Sequence, residues 1–485
     1  MGGLTSSTIL SKLAAAGTTA ATQSIILEFL NSVPDVAALA GVEPVEGPIV
    51  DDPTYGWGDQ IRDYDIGITV AQRILTKRAS LGSYSSLTQL SHITGFGPDK
   101  FNDLLYAFTT AVYEISSIEF NYHNGAFTHD ALNIRKNATA AAPSPSWRKG
   151  LSHTYTDSPA AYAIKETQDN TLGIRVRLKA NGLSGAYVRA IGGGRLGPVG
   201  EKWISFDSAG LSGLETFPLT SPSFHAHGVN AYNILWRWQW RRQSSDPWRE
   251  LMLTRHRLFV ILRAPTLPWV QTTGSTSLPW TDALEIACTW ASGATDKDTA
   301  ATRITERYNG CGRVSYDTVW GATFYGYINY NLTQMLDRLN GGPGLGGKVN
   351  CTDSANTVST LANLVGCDLW QSRMNGGWGF DLNPLIAIGY TTWAVPFNGG
   401  FSYHEVAWKG ACTENDRLFD GCLKVDGDAD PTAADAQHTP LLPTNMLFGD
   451  CTTLNYRLRL CPPTASGCAA CQPQAATTRQ RRPLL

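Results

Sequence analysis

The last third of the chain holds a cysteine, a histidine and an aspartate whose types and order suit nucleophilic catalysis. The stretch Gly341-Gly342-Pro343-Gly344-Leu345-Gly346-Gly347 is unsuited to a helix or strand interior, and it delivers the chain to Val349-Asn350-Cys351-Thr352-Asp353-Ser354. Ala355, Val358, Leu361, Ala362 and Val365 then recur at helical spacing, and Gly366 ends the pattern. Cys351 is therefore expected at the amino end of a largely buried helix. There the helix dipole and the free first-turn amides stabilise a thiolate and can donate to a developing oxyanion. A thiol nucleophile also needs a base, and the base needs a group to orient it. Two histidines follow Cys351. His438 lies in a Pro-, Ala- and Asp-rich loop, whereas His404 lies in Phe401-Ser402-Tyr403-His404-Glu405-Val406-Ala407-Trp408, which alternates like a strand. The run from Arg417 to Asp426 reads as a further strand, and an antiparallel neighbour would bring Asp420 beside the imidazole. Cys351, His404 and Asp420 are the candidate catalytic residues. Trp320, Tyr325 and Tyr327 are candidates for an additional oxyanion donor, which sequence does not rank.

Two segments carry partial metal motifs. Asp426-Gly427-Asp428-Ala429-Asp430 is similar to the start of a calcium loop, but Pro431 and Gln437 stand where that loop requires glycine and glutamate. Cys451, Cys461, Cys468 and Cys471 offer a four-thiolate zinc set, yet only the last pair has the short Cys-x-x-Cys spacing, so disulfides or free thiols are expected. We expect no metal and no cofactor. The ten cysteines leave the redox compartment open.

A cysteine opening a helix, a histidine in a His-x-x-x-Trp strand and an aspartate on the next strand together resemble the transglutaminase-like superfamily, whose core belongs to the papain-like fold. The resemblance spans roughly residues 280 to 430. It implies that Cys351 is the nucleophile, His404 the general base and acid, and Asp420 the orienting carboxylate. It also implies a thioester intermediate formed on an amide of a protein or peptide. Water resolving it gives proteolysis or deamidation, and an amine gives transglutamination. The chain departs from the family after the nucleophile, where Thr352-Asp353 replaces the common tryptophan or aliphatic residue; Asp353 would raise a nearby thiolate's pKa.

The elements that must position these residues belong to a long chain. Its 485 residues suggest about three domains. Charged residues make up 16% against a typical share of about 25%, which excludes solvated disorder as the dominant state. Net charge is -6 over residues 1–115, +8 over 116–270 and -4 over 271–485, so the overall balance of -2 supplies no global attraction to nucleic acid or anionic membrane. The expected fold is multidomain α+β. It comprises a helical unit over 1–115, a β-sandwich over 116–270, a papain-like, transglutaminase-like core over 271–462 and a disordered tail over 463–485.

In the first unit, Ile25, Ile26, Phe29 and Leu30 recur at helix spacing, and a Pro-, Gly- and Asp-rich loop runs from Glu43 to Gly58. The segment from Asp65 onward, with Gly95-Phe96-Gly97 before Pro98, resembles a tandem helix-hairpin-helix module. Its first hairpin, Asp65-Ile66-Gly67-Ile68-Thr69, lacks the usual second glycine. Residues 61–108 carry 5 basic and 4 acidic side chains, a thin footprint for phosphate, so protein docking or a structural role is preferred over DNA binding. In the second unit, Leu172, Ile174, Val176 and Leu178 alternate with polar residues, as do Ile234 to Trp240, and Ala140 to Ser146 reads as a surface connector. The Trp236-Arg237-Trp238-Gln239-Trp240 run reads first as an aromatic core face with a basic solvated face, and second as a stacking surface for sugars or bases.

The competing functional reading is a non-catalytic binding or structural protein that uses the helix-hairpin-helix unit and the basic aromatic strand to contact nucleic acid or a protein assembly. No apolar run approaches a membrane span, and no Sec leader is evident. The expectation is cytoplasmic synthesis, with any export through a dedicated secretion machine.

Overall fold

The structure, a computed structural model, describes the chain apart from residues 1–2, 17, 19, 34–35, 37–38, 40–65, 110, 121–130, 141–145, 149–157, 165–171, 247, 376, 378 and 432–437. Mixed helices and sheets gather around three separate clusters of buried apolar residues, giving a multidomain chain. Among the described residues, no helix is long and apolar enough to cross a membrane.

The first cluster is helical. Helices α1 (Ser6–Ala15), α2 (Ala20–Ser32), α3 (Ile68–Leu81) and α4 (Pro98–Thr109) bury Ile9, Ile26, Leu30, Ile74 and Phe101 together. The helix-hairpin-helix expectation is not shown. The element before Gly95 is a single 3-10 turn, Leu87–Leu90, in place of an α-helix. Ser86 and Gln89 close it with a reciprocal capping box, and His92 at φ 64° takes the chain out of helical conformation. Asp65 and the Glu43–Gly58 loop lie outside the described residues. The basic side chains here serve the fold. Arg73 donates to the Thr94 carbonyl, Lys77 to Ser91, Arg78 to Leu30 and Val33, and Lys100 to Ile66. They saturate carbonyls that helix ends and turns leave without partners.

The second cluster lies between two sheets. One has the order β2-β1-β4-β7, built from β1 (Ala111–Glu119), β2 (Ser146–Arg148), β4 (Gly173–Asn181) and β7 (Glu215–Pro218). The other has the order β3-β9-β8-β5-β6, from β3 (Pro159–Ala163), β5 (Gly185–Gly192), β6 (Val199–Ser205), β8 (Asn230–Arg241) and β9 (Arg249–Ile261). Most of the Ala140–Ser146 connector falls outside the described residues, and Ser146 opens β2. Alternation along β8 turns Trp236, Trp238 and Trp240 into the core. Their indole nitrogens are committed there too, Trp236 to the Gly197 carbonyl at 2.9 Å and Trp238 to Thr254 Oγ1 at 2.9 Å. These rings cannot stack on an external ligand. Arg189 and Arg241 instead lie over Trp248, at 4.0 and 4.4 Å from its ring centre.

The third cluster holds the candidate residues. Helices α5 (Thr281–Trp290), α6 (Lys297–Asn309), α7 (Leu332–Leu339) and α8 (Cys351–Leu364) surround a five-stranded antiparallel sheet. In order across that sheet run Met446–Leu447, Arg417–Phe419, His404–Trp408, Trp370–Asn375 and Gln472–Pro473. Every residue of α8 is buried, although eight of the fourteen are polar. Three of their hydroxyls return to the helix backbone, Ser354 to the Asn350 carbonyl, Thr357 to Asp353 and Ser359 to Ala355, so burial leaves those groups hydrogen-bonded.

The tail expectation is overturned. Residues 463–485 are ordered against this cluster, with a short helix at Ala475–Thr478 and bridges from Gln480 to Gln371 and from Leu484 to Tyr330. Arg479 and Arg481 both lie over the Trp370 ring, and Arg482 is fully buried. The three arginines of the tail are thus held by an aromatic ring and an internal carboxylate, partners that lie more than a hundred and about eighty residues away in sequence.

Candidate active site

Local sequence places each candidate side chain. Asn350 is the N-cap of α8: its side chain accepts from the Asp353 amide at 3.0 Å, and Asp353 returns the bond to the Asn350 amide. Cys351 is thus the first helical residue, within the positive end of the helix, and is 3% exposed. His404 opens its strand and is fully buried, stacked on Phe401 with ring centres 4.9 Å apart and planes 7° apart.

Asp420 follows the Arg417–Phe419 strand, which pairs antiparallel with the histidine strand through Ala407↔Phe419 and Trp408↔Leu418. Extending that register by one residue sets Asp420 opposite Val406, on the face that also carries His404. Here the structure corrects the expectation of one strand from Arg417 to Asp426. The chain breaks after Phe419, and Leu423–Asp426 joins a different sheet. The break contains Gly421, where a Cβ would meet Tyr308 and Val358 at 2.8 Å; only glycine passes this close to α6 and α8.

His404 Nε2 and Asp420 Oδ2 are 3.0 Å apart. The same carboxylate accepts from the Tyr456 hydroxyl at 2.8 Å and from the Cys422 amide at 2.9 Å. His404 Nδ1 is buried without a hydrogen-bond partner, and the Cys351 thiol lies within interaction range of this imidazole. Burial alone would push the histidine pKa down, but the Asp420 carboxylate and the Cys351 sulfur carry it up to about 10. Burial raises the Asp420 pKa, and the His404 charge together with the three donors outweighs this and holds it below the ordinary carboxylate value. The ring is therefore held as an imidazolium by the adjacent carboxylate.

Asp353 does not play the part its sequence position suggested. Besides its capping bond, its carboxylate accepts from Thr323 Oγ1 at 2.8 Å and from the amides of Phe324, Tyr325 and Gly326. It ties the 323–326 loop to the amino end of α8. Thr352 is equally occupied: its hydroxyl donates to Glu405 Oε2 at 2.8 Å, so the residues following Cys351 and His404 are bonded to each other. Glu405 is gripped by Arg482 from the tail, Nη1 to Oε1 at 2.6 Å and Nη2 to Oε2 at 3.1 Å, and by Arg373 Nε at 3.1 Å.

The oxyanion-donor candidates are exposed or already hydrogen-bonded. Trp320 is 83% and Tyr327 59% exposed, and the Tyr325 hydroxyl is spent on the Gly346 carbonyl and the Leu345 amide. Tyr316, which sequence reading missed, is buried with its phenol against Cys351, and burial together with the neighbouring Cys351 and Cys422 sulfurs pushes its pKa well above the ordinary value. It reaches this point because Ser315–Tyr316 pairs in parallel with Lys348–Val349, immediately before Asn350 and Cys351. Nothing in its sequence neighbourhood marks it. Cys422 was also missed; it lies two residues past Asp420, with its thiol buried beside Asp420, Cys351 and Ser354. His438 is elsewhere, paired with Asp426 at 2.6 Å. Cys451 and Cys468 form a disulfide, which removes two members of the four-thiolate set.

No family model matches the chain, and no curated protein matches it. Among solved structures it is similar to red sea bream transglutaminase, with a TM-score of 0.30 and 11% identity over 56% of this chain and 50% of that one. At that likeness, neither the activity nor the substrate of that enzyme transfers to this chain.

Proposed function

We propose that the protein is a thiol-dependent acyl-transfer enzyme acting on amide bonds of a protein or peptide, with Cys351 as nucleophile, His404 as general base and acid, and Asp420 as orienting carboxylate. The supporting observation is the use of the imidazole: Asp420 occupies Nε2, Nδ1 has no hydrogen-bond partner, and the Cys351 thiol is the nucleophilic neighbour. In this reading the proton of the Cys351–His404 pair rests on the imidazole, and the Cys351 thiolate attacks the amide carbon. The first-turn amides of α8 and the Tyr316 hydroxyl stabilise the oxyanion. His404 then protonates the departing amine and a thioester remains. Water cleaves the thioester to an acid and the free thiol, giving hydrolysis or deamidation; a second amine gives a new amide. The sulfur is closed off in this conformation, so a substrate carbonyl reaches it only after a local opening of its surroundings.

The test is labelling of the full chain with a thiol-reactive amide probe, with the modified residue located by mass spectrometry. Label on Cys351, absent from Cys351→Ala, is the expected result. Label that persists unchanged on another cysteine of the variant would overturn the assignment.

A further inference from the structure

The proposed chemistry leaves Cys422 without a task, yet its thiol is in the middle of the cluster. Ligand atoms of His404, Asp420 and Cys422 all lie within 4.8 Å of one another, and all three residues are buried. Cys351 adjoins the same group, close enough to Cys422 to influence the ionisation of its thiol. His404 Nδ1 is a buried nitrogen with no hydrogen-bond partner. A thiol, an imidazole and a carboxylate form a donor set that suits zinc-class cations and suits magnesium or calcium poorly. Donors around a tetrahedral zinc are about 3.5 Å apart, so the His404, Asp420 and Cys422 ligand atoms, all within 4.8 Å of one another, need to contract by only about 1 Å.

We infer that this cluster binds a thiophilic divalent cation of the zinc class through His404, Asp420 and Cys422, beside Cys351, and that the bound ion reversibly silences the thiol site. This rests on the catalytic reading of Cys351 for its regulatory meaning, but not for the binding itself. Coordination displaces two protons to solvent, one from the His404 imidazolium and one from Cys422. The imidazole is then occupied and can no longer serve Cys351.

Cobalt(II) serves as the spectroscopic probe, added to the reduced full chain after removal of a phosphine reductant. The expected result is an intense sulfur-to-cobalt band that zinc abolishes by displacement. Cys422→Ala and the near-isosteric Cys422→Ser should both lose the band and weaken zinc binding at least ~100-fold in competition with a chromophoric chelator, with thermal unfolding confirming that each is folded. A Cys461→Ser/Cys471→Ser double variant should keep the band. A band that survives in both Cys422 variants, or that disappears with Cys461 and Cys471, overturns the inference, as does the absence of any band in the parent chain. The two proposals separate cleanly. Amide-probe labelling without a cobalt band rejects the cation site alone, and a cobalt band without labelling rejects the enzyme alone.

Discussion

Asp420 governs the behaviour of the histidine. A fully buried imidazole would ordinarily lose its proton, and here the adjacent carboxylate reverses that preference. Asp420→Asn should lower the rate of Cys351 acylation by about 10²–10⁴-fold, because the ring loses both its orientation and its compensating charge. Stability carries the same signature. The His404 pKa is raised, so the stability the pair confers is full below the unfolded histidine value near 6.5 and fades as pH rises toward about 10. The Asp420 pKa is depressed, so on the acid side the contribution is present above about 4 and lost as pH falls below it. Denaturation midpoints of parent and Asp420→Asn should therefore differ most between about pH 4 and 6.5 and converge toward pH 10. A difference independent of pH would contradict the ion pair. At this scale, the pairing of His404 with Asp420 was legible because the two segments read as antiparallel neighbours. Tyr316 and Cys422 were not, since a tyrosine in a two-residue strand and a cysteine beside a glycine resemble ordinary core residues.

The amino end of helix α8 is fixed by its cap. Removing the Asn350 side chain should cost ~1 kcal/mol, the ordinary value for an N-cap. Asp353→Ala should cost at least ~3 kcal/mol, because Phe324, Tyr325 and Gly326 all lose the acceptor of their amides. Urea midpoints of the two variants measure this ordering, and a smaller loss for Asp353→Ala would show that the loop is held by other contacts. The existence and limits of α8 were readable from periodicity and from Gly366, which takes φ 91° just past its end. The misread strand beyond Phe419 has a different origin. Its residues carry strand propensity throughout, and the close passage of Gly421 past Tyr308 and Val358 decides where it turns. The single 3-10 turn at Leu87–Leu90 was likewise set by reciprocal capping over four residues, too short a span for periodicity to register.

Across the whole molecule, the tail joins the site to the rest of the third cluster. Arg482 brings its charge to Glu405, which is bonded to Thr352 beside Cys351. Arg482→Met leaves Glu405 buried with Arg373 as its remaining cationic partner, and should destabilise the protein by ~3–5 kcal/mol. Limited trypsin digestion offers a second check: the native protein should retain residues 479–485 despite three arginines there, and rapid loss of that segment would show the tail to be undocked. The amino-acid sequence determined the buried helix with its leading cysteine and the strand that carries the histidine, because periodicity and residue chemistry are local properties. Tertiary structure alone decided that the tail is internal and that Asp353 is spent on a loop. Each of these depends on partners far apart along the chain, and what a charge or a ring does is set by the neighbour that satisfies it.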